Sequence, residues 1–238
     1  MNEKEFITEL KKLNIEVTPL MLERLEKYYN LLIEYNQKIN LTRITEKQDV
    51  YLKHFYDSIT LIKAIDLNQN LKVCDIGTGA GFPGLVLKIV FPNLQITLVD
   101  ALNKRINFLN DVKEKIKLEN MEAIHSRAEE FCQNKKYREK FDIAVSRAVA
   151  NLSVLAEYLL PAVKVGGQVI CMKGSQVEEE LNDAKFALKE LGGKIKSVDE
   201  FFLPGTDMKR NVIIVEKIKE TPKKYPRKAG TPAKQPLK

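Results

Sequence analysis

The spacing of hydrophobic residues in this chain changes once, near residue 71. Before that point apolar positions recur at helical intervals; beyond it, short apolar runs alternate with amphipathic stretches. "MNEKEFITELKKLN" reads as a polar amphipathic helix. In "VTPLMLERLEKYYNLLIEYNQKIN", Leu22, Leu25, Tyr29, Leu32, Ile33 and Ile39 keep the helical interval. Thr18 is placed to cap that helix, and Pro19 fills its first position. "TEKQ" at 45–48 has the capping-box pattern and leads into "DVYLKHFYDSITLIKAI", after which "NQN" breaks the rhythm.

From residue 71 strands and helices take turns. "LKVCDI", "LQITLVD", "MEAIHS", "FDIAVSR" and "QVICMK" read as strands, the last following Gly166 and Gly167. Between and after them, "PGLVLKIVF", "NKRINFLNDVKEKIKL", a short polar stretch near "AEEFCQNKK", "NLSVLAEYLLPAVKV" and "VEEELNDAKFALKEL" read as helices. Two more strands, "KIKSVDEFFL" and "NVIIVEKI", are separated only by the loop "PGTDMKR", so they predict an antiparallel hairpin at a sheet edge. The fold class is therefore α/β, with a seven-stranded, mostly parallel, doubly wound sheet. The expected organisation is a helical extension over 1–70, the sheet domain over 71–218 and a tail over 219–238.

Composition narrows the setting. With 44% hydrophobic and 30% charged residues the chain reads as a soluble globular protein. No apolar run approaches the ~18 residues that cross a membrane, and the polar amino terminus does not resemble a signal peptide. Cys74, Cys132 and Cys171 lie far apart without C-x-x-C spacing, which points to a reducing cytoplasm and away from zinc. His54 and His125 are each solitary, so no metal centre is expected.

The net charge of +7 has a location. Residues 217–238 hold eight Lys/Arg against one Glu, which leaves residues 1–216 neutral. The same stretch carries four of the nine prolines. It predicts an extended, solvated tail that grips RNA phosphates through Lys223, Lys224, Arg227 and Lys228, a merely solubilising tail being the alternative.

"VCDIGTGAGFPG" at 73–84 carries the candidate chemistry and fits two fingerprints. Gly79-x-Gly81-x-x-Gly84, with Asp100 ending the next strand, fits a dinucleotide loop. Gly77-x-Gly79-x-Gly81, preceded by Asp75, fits the first motif of S-adenosylmethionine-dependent methyltransferases. A carboxylate at the mouth of the turn repels a diphosphate but suits the amino group and sulfonium of S-adenosylmethionine. Asp100 can accept from ribose hydroxyls in either case. The terminal hairpin, with no second catalytic domain, resembles the class I methyltransferase plan, which is Rossmann-like.

"DIGTGAGFPGLVL", "HSRAEEF", "FDIAVSRAVA" and "YPRKAGTPAKQPL", with "HFYDS" in the helical extension, together resemble the bacterial 16S ribosomal RNA guanine-N7 methyltransferase family, RsmG or glucose-inhibited division protein B. The resemblance implies that Gly77 and Phe82 line the cofactor pocket, Ala128 and Glu129 hold its adenine end, and Arg147 closes the site. It also implies S-adenosyl-L-methionine as cofactor and 16S ribosomal RNA or the small ribosomal subunit as partner. By position alone, Lys173 at the end of the fifth strand is a candidate phosphate contact, as are Lys209 and Arg210 in the hairpin loop. His54, Asp57 and Ser58 match the family pattern, yet helical spacing alone makes them helix-surface residues. A monomer, without membrane or metal, is expected.

The segment after the fourth strand, "SRAV", lacks the N/D-P-P-Y/F pattern of exocyclic-amine methyltransferases, and no cysteine stands there for pyrimidine C5 chemistry. Guanine N7 has an in-plane lone pair and no proton to lose, so direct in-line transfer needs positioning rather than a base. Arg147 is then expected to orient ligands, not to move a proton. The rival readings are a methyltransferase for another RNA, a protein or a small molecule, an NAD-dependent oxidoreductase, and a non-catalytic RNA-binding module.

Overall fold

Strand residues with apolar side chains on alternate sides give one sheet two hydrophobic faces, and the chain covers both. The computed structural model describes residues 1–147, 150–174 and 177–238. The strands are β1 (Lys72–Ile76), β2 (Gln95–Asp100), β3 (Met121–His125), β4 (Phe141–Arg147), β5 (Val163–Lys173), β6 (Gly193–Phe202) and β7 (Lys209–Lys217). Their order is β3-β2-β1-β4-β5-β7-β6. β1 to β5 run parallel, and β7 lies antiparallel between β5 and β6. The predicted parallel sheet and edge hairpin are both present. Strand order reverses between β1 and β4, which opens a crevice at their carboxyl ends.

One face buries Val73, Leu98, Val145 and Ile170 beneath α5 (Gly84–Val90), α6 (Asn103–Lys115) and the amino-terminal helices. The other buries Cys74, Val99, Ala144 and Cys171 beneath α7 (Ala128–Gln133), α8 (Leu152–Leu159) and α10 (Lys185–Leu191). A separate short helix, α9 (Glu178–Asp183), precedes α10, so the single helix read over 177–191 is two. The first face accepts the extension because α1 (Glu3–Lys12) and α2 (Pro19–Ile39) turn Phe6, Leu10, Leu25 and Leu32 into the same core. The start of α2 is as expected, with the Thr18 hydroxyl accepting from the Met21 N–H and Pro19 beginning the helix.

Four local readings need correction. No capping box forms at 45–48: α3 (Lys47–Val50) begins without a side-chain cap. Contacts to α2 hold that start instead, through Lys47 to Glu26 at 2.7 Å and the Tyr29 hydroxyl to the Thr45 carbonyl at 3.2 Å. Next, α3 runs into a π-helical turn (Tyr51–Tyr56), α4 (Asp57–Ile59) and a 3-10 turn (Thr60–Lys63). Asp57 and Ser58 there are buried rather than on a helix surface. "VKV" at 163–165 belongs to β5, since α8 gives way to a 3-10 turn (Leu160–Ala162) at Pro161, which has no N–H to continue it. Lys209 and Arg210 begin β7 and do not lie in a loop.

The last correction is the largest. Residues 219–238 are not extended and solvated. Thr221, Tyr225 and Pro232 are buried, and the chain ends in a short helix, α11 (Thr231–Lys234). The carbonyls of a proline-rich segment need outside donors, and the Arg138 guanidinium supplies them to Thr221, Pro222 and Tyr225. Composition could not disclose that partner.

Candidate active site

The glycine loop joins β1 to α5. Gly77, Gly79 and Gly81 all have positive φ, at 76°, 61° and 102°. A Cβ on Gly81 would lie 2.8 Å from the Tyr28 hydroxyl oxygen, so glycine there lets α2 approach the loop, and Tyr28 donates to the Ala80 carbonyl. The Gly77 and Thr78 N–H groups both reach the Val99 carbonyl on β2.

Asp75 does not stand at the mouth of this loop. It is fully buried beneath it, where Oδ2 accepts from the Thr78 hydroxyl at 2.7 Å and the Gly84 N–H at 2.8 Å. Among the described residues Oδ1 has no hydrogen-bond partner. Burial pushes the Asp75 carboxyl up to about 6. Held by Thr78 and Gly84 and absent from the cleft lining, Asp75 shapes the loop from below.

A cleft of about 760 Å³ opens above the loop, lined by Gly77, Gly79, Phe82, Asp100, Arg147 and residues of the helical extension. A second compartment of about 240 Å³ shares Gly77 and Asp100 with it and is walled by Ala128, Glu129, Tyr158 and Gly230. Of the cofactor residues read from the sequence, Gly77, Gly79, Phe82, Asp100, Ala128, Glu129 and Arg147 line this crevice, whereas Asp75 and Gly81 do not, Gly81 facing Tyr28, Leu85 and Leu109 instead. Asp100 accepts from the Gly79 and Leu102 N–H groups at 2.9 Å each and pairs with Arg105 at 3.1 Å. Glu129, buried in the first turn of α7, accepts from the Gly230 N–H at 2.7 Å.

Arg147 ends β4 among residues that sequence reading left as helix surface. Its guanidinium donates to Asp57 at 3.2 Å, to the Lys53 carbonyl at 3.3 Å and to His54 Nδ1 at 3.2 Å. It also lies over the Phe82 ring, 5.1 Å from the centroid, while the His54 ring stacks on Phe82 at 4.3 Å. A guanidinium cannot accept, so Nδ1 of His54 accepts and its proton sits on Nε2, which faces the Thr42 hydroxyl at 2.9 Å. Burial first, then the Arg147 charge, pull His54 down to about 3. Burial also lowers the Arg147 pKa, against Asp57 and Asp75. The second oxygen of Asp57 takes Arg210 at 3.0 Å, so one buried carboxylate holds two guanidiniums at the cleft. The only sequence signal for this cluster was the "HFYDS" resemblance. Its partners sit 90 to 153 residues from Asp57.

Several expected RNA contacts have partners inside the chain. The Lys173 ammonium, expected as a phosphate contact, lines the cleft and is bonded to Glu180 at 2.7 Å and to the Ala150 carbonyl. Arg227 is bound to Glu157 at 2.7 Å. Lys209 pairs with Glu200, and Lys224 with Glu190. Lys223 and Lys228 are exposed. Among the described residues no group of His, Cys, Asp and Glu side chains is arranged to hold a metal, and no helix is long and apolar enough to cross a membrane.

Comparison with known proteins adds to this geometry. Residues 21–212 match the sequence profile of a family described as rRNA small subunit methyltransferase G. The chain is 52% identical over 237 residues to ribosomal RNA small subunit methyltransferase G of Bacillus subtilis, covering 100% of this chain and 99% of that one. It is also 52% identical to the protein of the same name from Exiguobacterium sibiricum, with both chains fully covered. Among solved structures, an S-adenosylmethionine-dependent methyltransferase from Aquifex aeolicus superposes with a TM-score of 0.52 at 18% identity. That match spans 70% of this chain and 92% of the other, and is a likeness of fold.

Proposed function

The chain belongs to the family of ribosomal RNA small subunit methyltransferase G, and from that membership we propose that it methylates N7 of a guanine in 16S ribosomal RNA. It is an S-adenosylmethionine-dependent ribosomal RNA methyltransferase with the class I fold. The observation that carries the finer reading is the pair of joined compartments at the carboxyl ends of β1, β2 and β4, lined by the acceptors Asp100 and Glu129 and by the guanidiniums of Arg105, Arg147 and Arg210.

The residues fit the cofactor. Asp100 and Glu129 are acceptors, suited to ribose hydroxyls and an exocyclic adenine amine. Asp100 would accept from a ribose hydroxyl in either kind of cofactor, so the choice of S-adenosylmethionine over a nicotinamide dinucleotide rests on the family. Gly79 has no atom within 4 Å of where a Cβ would stand, so its backbone presents open space to the cleft. When bound, S-adenosylmethionine supplies an activated methyl group. Everything else falls to the protein.

Its task at the other end is orientation without proton removal. His54 is neutral, its Nδ1 is engaged by Arg147, and its low pKa makes it a poor base. Arg147 is a cation and accepts no proton. This matches attack by guanine N7, whose lone pair is already free. Arg147 is held on three sides by Asp57, Lys53 and His54. It therefore presents a fixed donor to the incoming base or to a carboxylate, and lysine could not reproduce that fork. Lys53, Arg105 and Arg210 bring further positive charge to the cleft, where RNA phosphates would enter.

Calorimetric titration with S-adenosylhomocysteine and with NADH tests the cofactor half directly. Binding of the first and none of the second is expected; the reverse would overturn the assignment.

A further inference from the structure

The last twenty residues are anchored by specific contacts. Besides the three carbonyls held by Arg138, the Gln133 amide donates to the Pro226 carbonyl at 2.8 Å. Arg227 meets Glu157, which is fully buried on α8, through Nε and Nη2 at distances of 2.7 to 3.2 Å. Its own backbone N–H donates to the same carboxylate at 2.8 Å. Nη2 also reaches the Gln235 carbonyl at 2.8 Å, which closes residues 227–235 into a loop. A guanidinium and a backbone N–H converging on one buried carboxylate form a directional anchor, unlike a solvated lysine.

The anchored loop delivers Gly230 to the cofactor crevice. Gly230 has φ +83°, a conformation that L side chains rarely adopt, and its N–H meets Glu129 Oε1. Gly230 and Ala233 line the smaller compartment beside Ala128, Glu129 and Tyr158. Among the described residues Glu129 Oε2 accepts no hydrogen bond. Resting on the reading of this crevice as the cofactor site, we propose that residues 225–234 are a wall of the adenosine compartment. The Arg227–Glu157 latch seats Gly230 on Glu129 and so fixes that carboxylate to receive the exocyclic amine of adenine.

This assignment and an RNA-gripping arm predict different losses. The test compares the full chain with one ending at Lys228, which keeps Arg227 but lacks Gly230 and α11, and with Arg227→Ala. Gly230→Val is the third variant: it leaves the anchors in place and strains only the turn. Folding of each is checked by circular dichroism. All are titrated with S-adenosylhomocysteine, with 5′-methylthioadenosine, which shares the adenosine but has no amino acid, and with a 16S ribosomal RNA fragment. Each folded variant is expected to bind both adenosine ligands about tenfold or more weakly, by the same factor, as removal of a hydrogen bond to a charged group implies. RNA affinity should fall less.

Unchanged affinity for both small ligands, or a loss confined to RNA, would overturn the proposal. A loss for S-adenosylhomocysteine but not for methylthioadenosine would overturn it too, by placing the effect at the amino-acid end. A full chain that binds neither ligand would contradict the cofactor reading itself, and the wall with it. That failure is distinct from equal binding by full and shortened chains.

Discussion

Asp75 beneath the glycine loop and His54 in the cleft titrate in opposite senses. Folded Asp75 holds its proton up to about 6, against an ordinary value of 3.8, so the folded chain binds the extra proton between those pH values. Stability therefore falls as pH rises through that window, by about 3 kcal/mol, and the loss persists above it. His54 is the mirror case: about 3 when folded and 6.5 ordinarily, so the unfolded chain binds the extra proton and stability rises as pH climbs between them. In the intact protein these trends offset each other between pH 4 and 6. His54→Gln should leave the Asp75 slope, with the urea midpoint dropping from pH 4 to 6. Asp75→Asn should leave the opposite slope. Parallel profiles for the two variants would contradict both assignments.

The glycines separate in the same way. Gly79→Ala meets open space and should cost about 1 kcal/mol through its positive φ alone. It should still weaken S-adenosylhomocysteine, since the new methyl enters the cleft. Gly81→Ala runs into Tyr28, Leu85 and Leu109 as well, and should cost upwards of about 2 kcal/mol in thermal denaturation. Asp57→Asn removes the charge shared by Arg147 and Arg210 and should destabilise by about 3 kcal/mol. Arg147→Lys should fold but lose turnover, because a single ammonium cannot face Asp57, Lys53 and His54 together.

At the scale of elements, what was legible was what is local. The strand-loop-helix around residues 73–84 announces itself because positive φ demands glycine and the apolar run beside it demands a buried strand. Asp100 follows because parallel strands put their carboxyl ends on one edge, whereas Ala128 and Glu129 came only from the family resemblance. The hairpin β6–β7 was visible because too few residues separate the strands for a helix. The tail was misread for the converse reason. Its fold depends on Arg138, Glu157 and Glu129, each remote in sequence, and composition registers only its own charge and prolines. Of its basic residues, Lys224 and Arg227 neutralise carboxylates of the same chain. His54 and Asp57 were hidden likewise, since a helical pattern says which residues share a face and not what that face meets.

Across the whole molecule, the amino-terminal helices and the carboxyl-terminal strap sit on opposite faces of one sheet, and each reaches the crevice at its end. Tyr28 supports the loop from one side, and Gly230 closes the adenosine end from the other. Exposed Lys223 and Lys228 together with the cationic cleft remain for RNA, so RNA affinity should fall steeply with salt while S-adenosylhomocysteine affinity changes little; filter binding and calorimetry across a salt series would check this. The chemistry itself is tested by transfer of labelled methyl from S-adenosylmethionine to 16S ribosomal RNA from cells lacking this protein, with the modified nucleoside identified by mass after digestion. Label appearing as 7-methylguanosine is the expected result. Label in any other nucleoside, or none in the RNA, would contradict it.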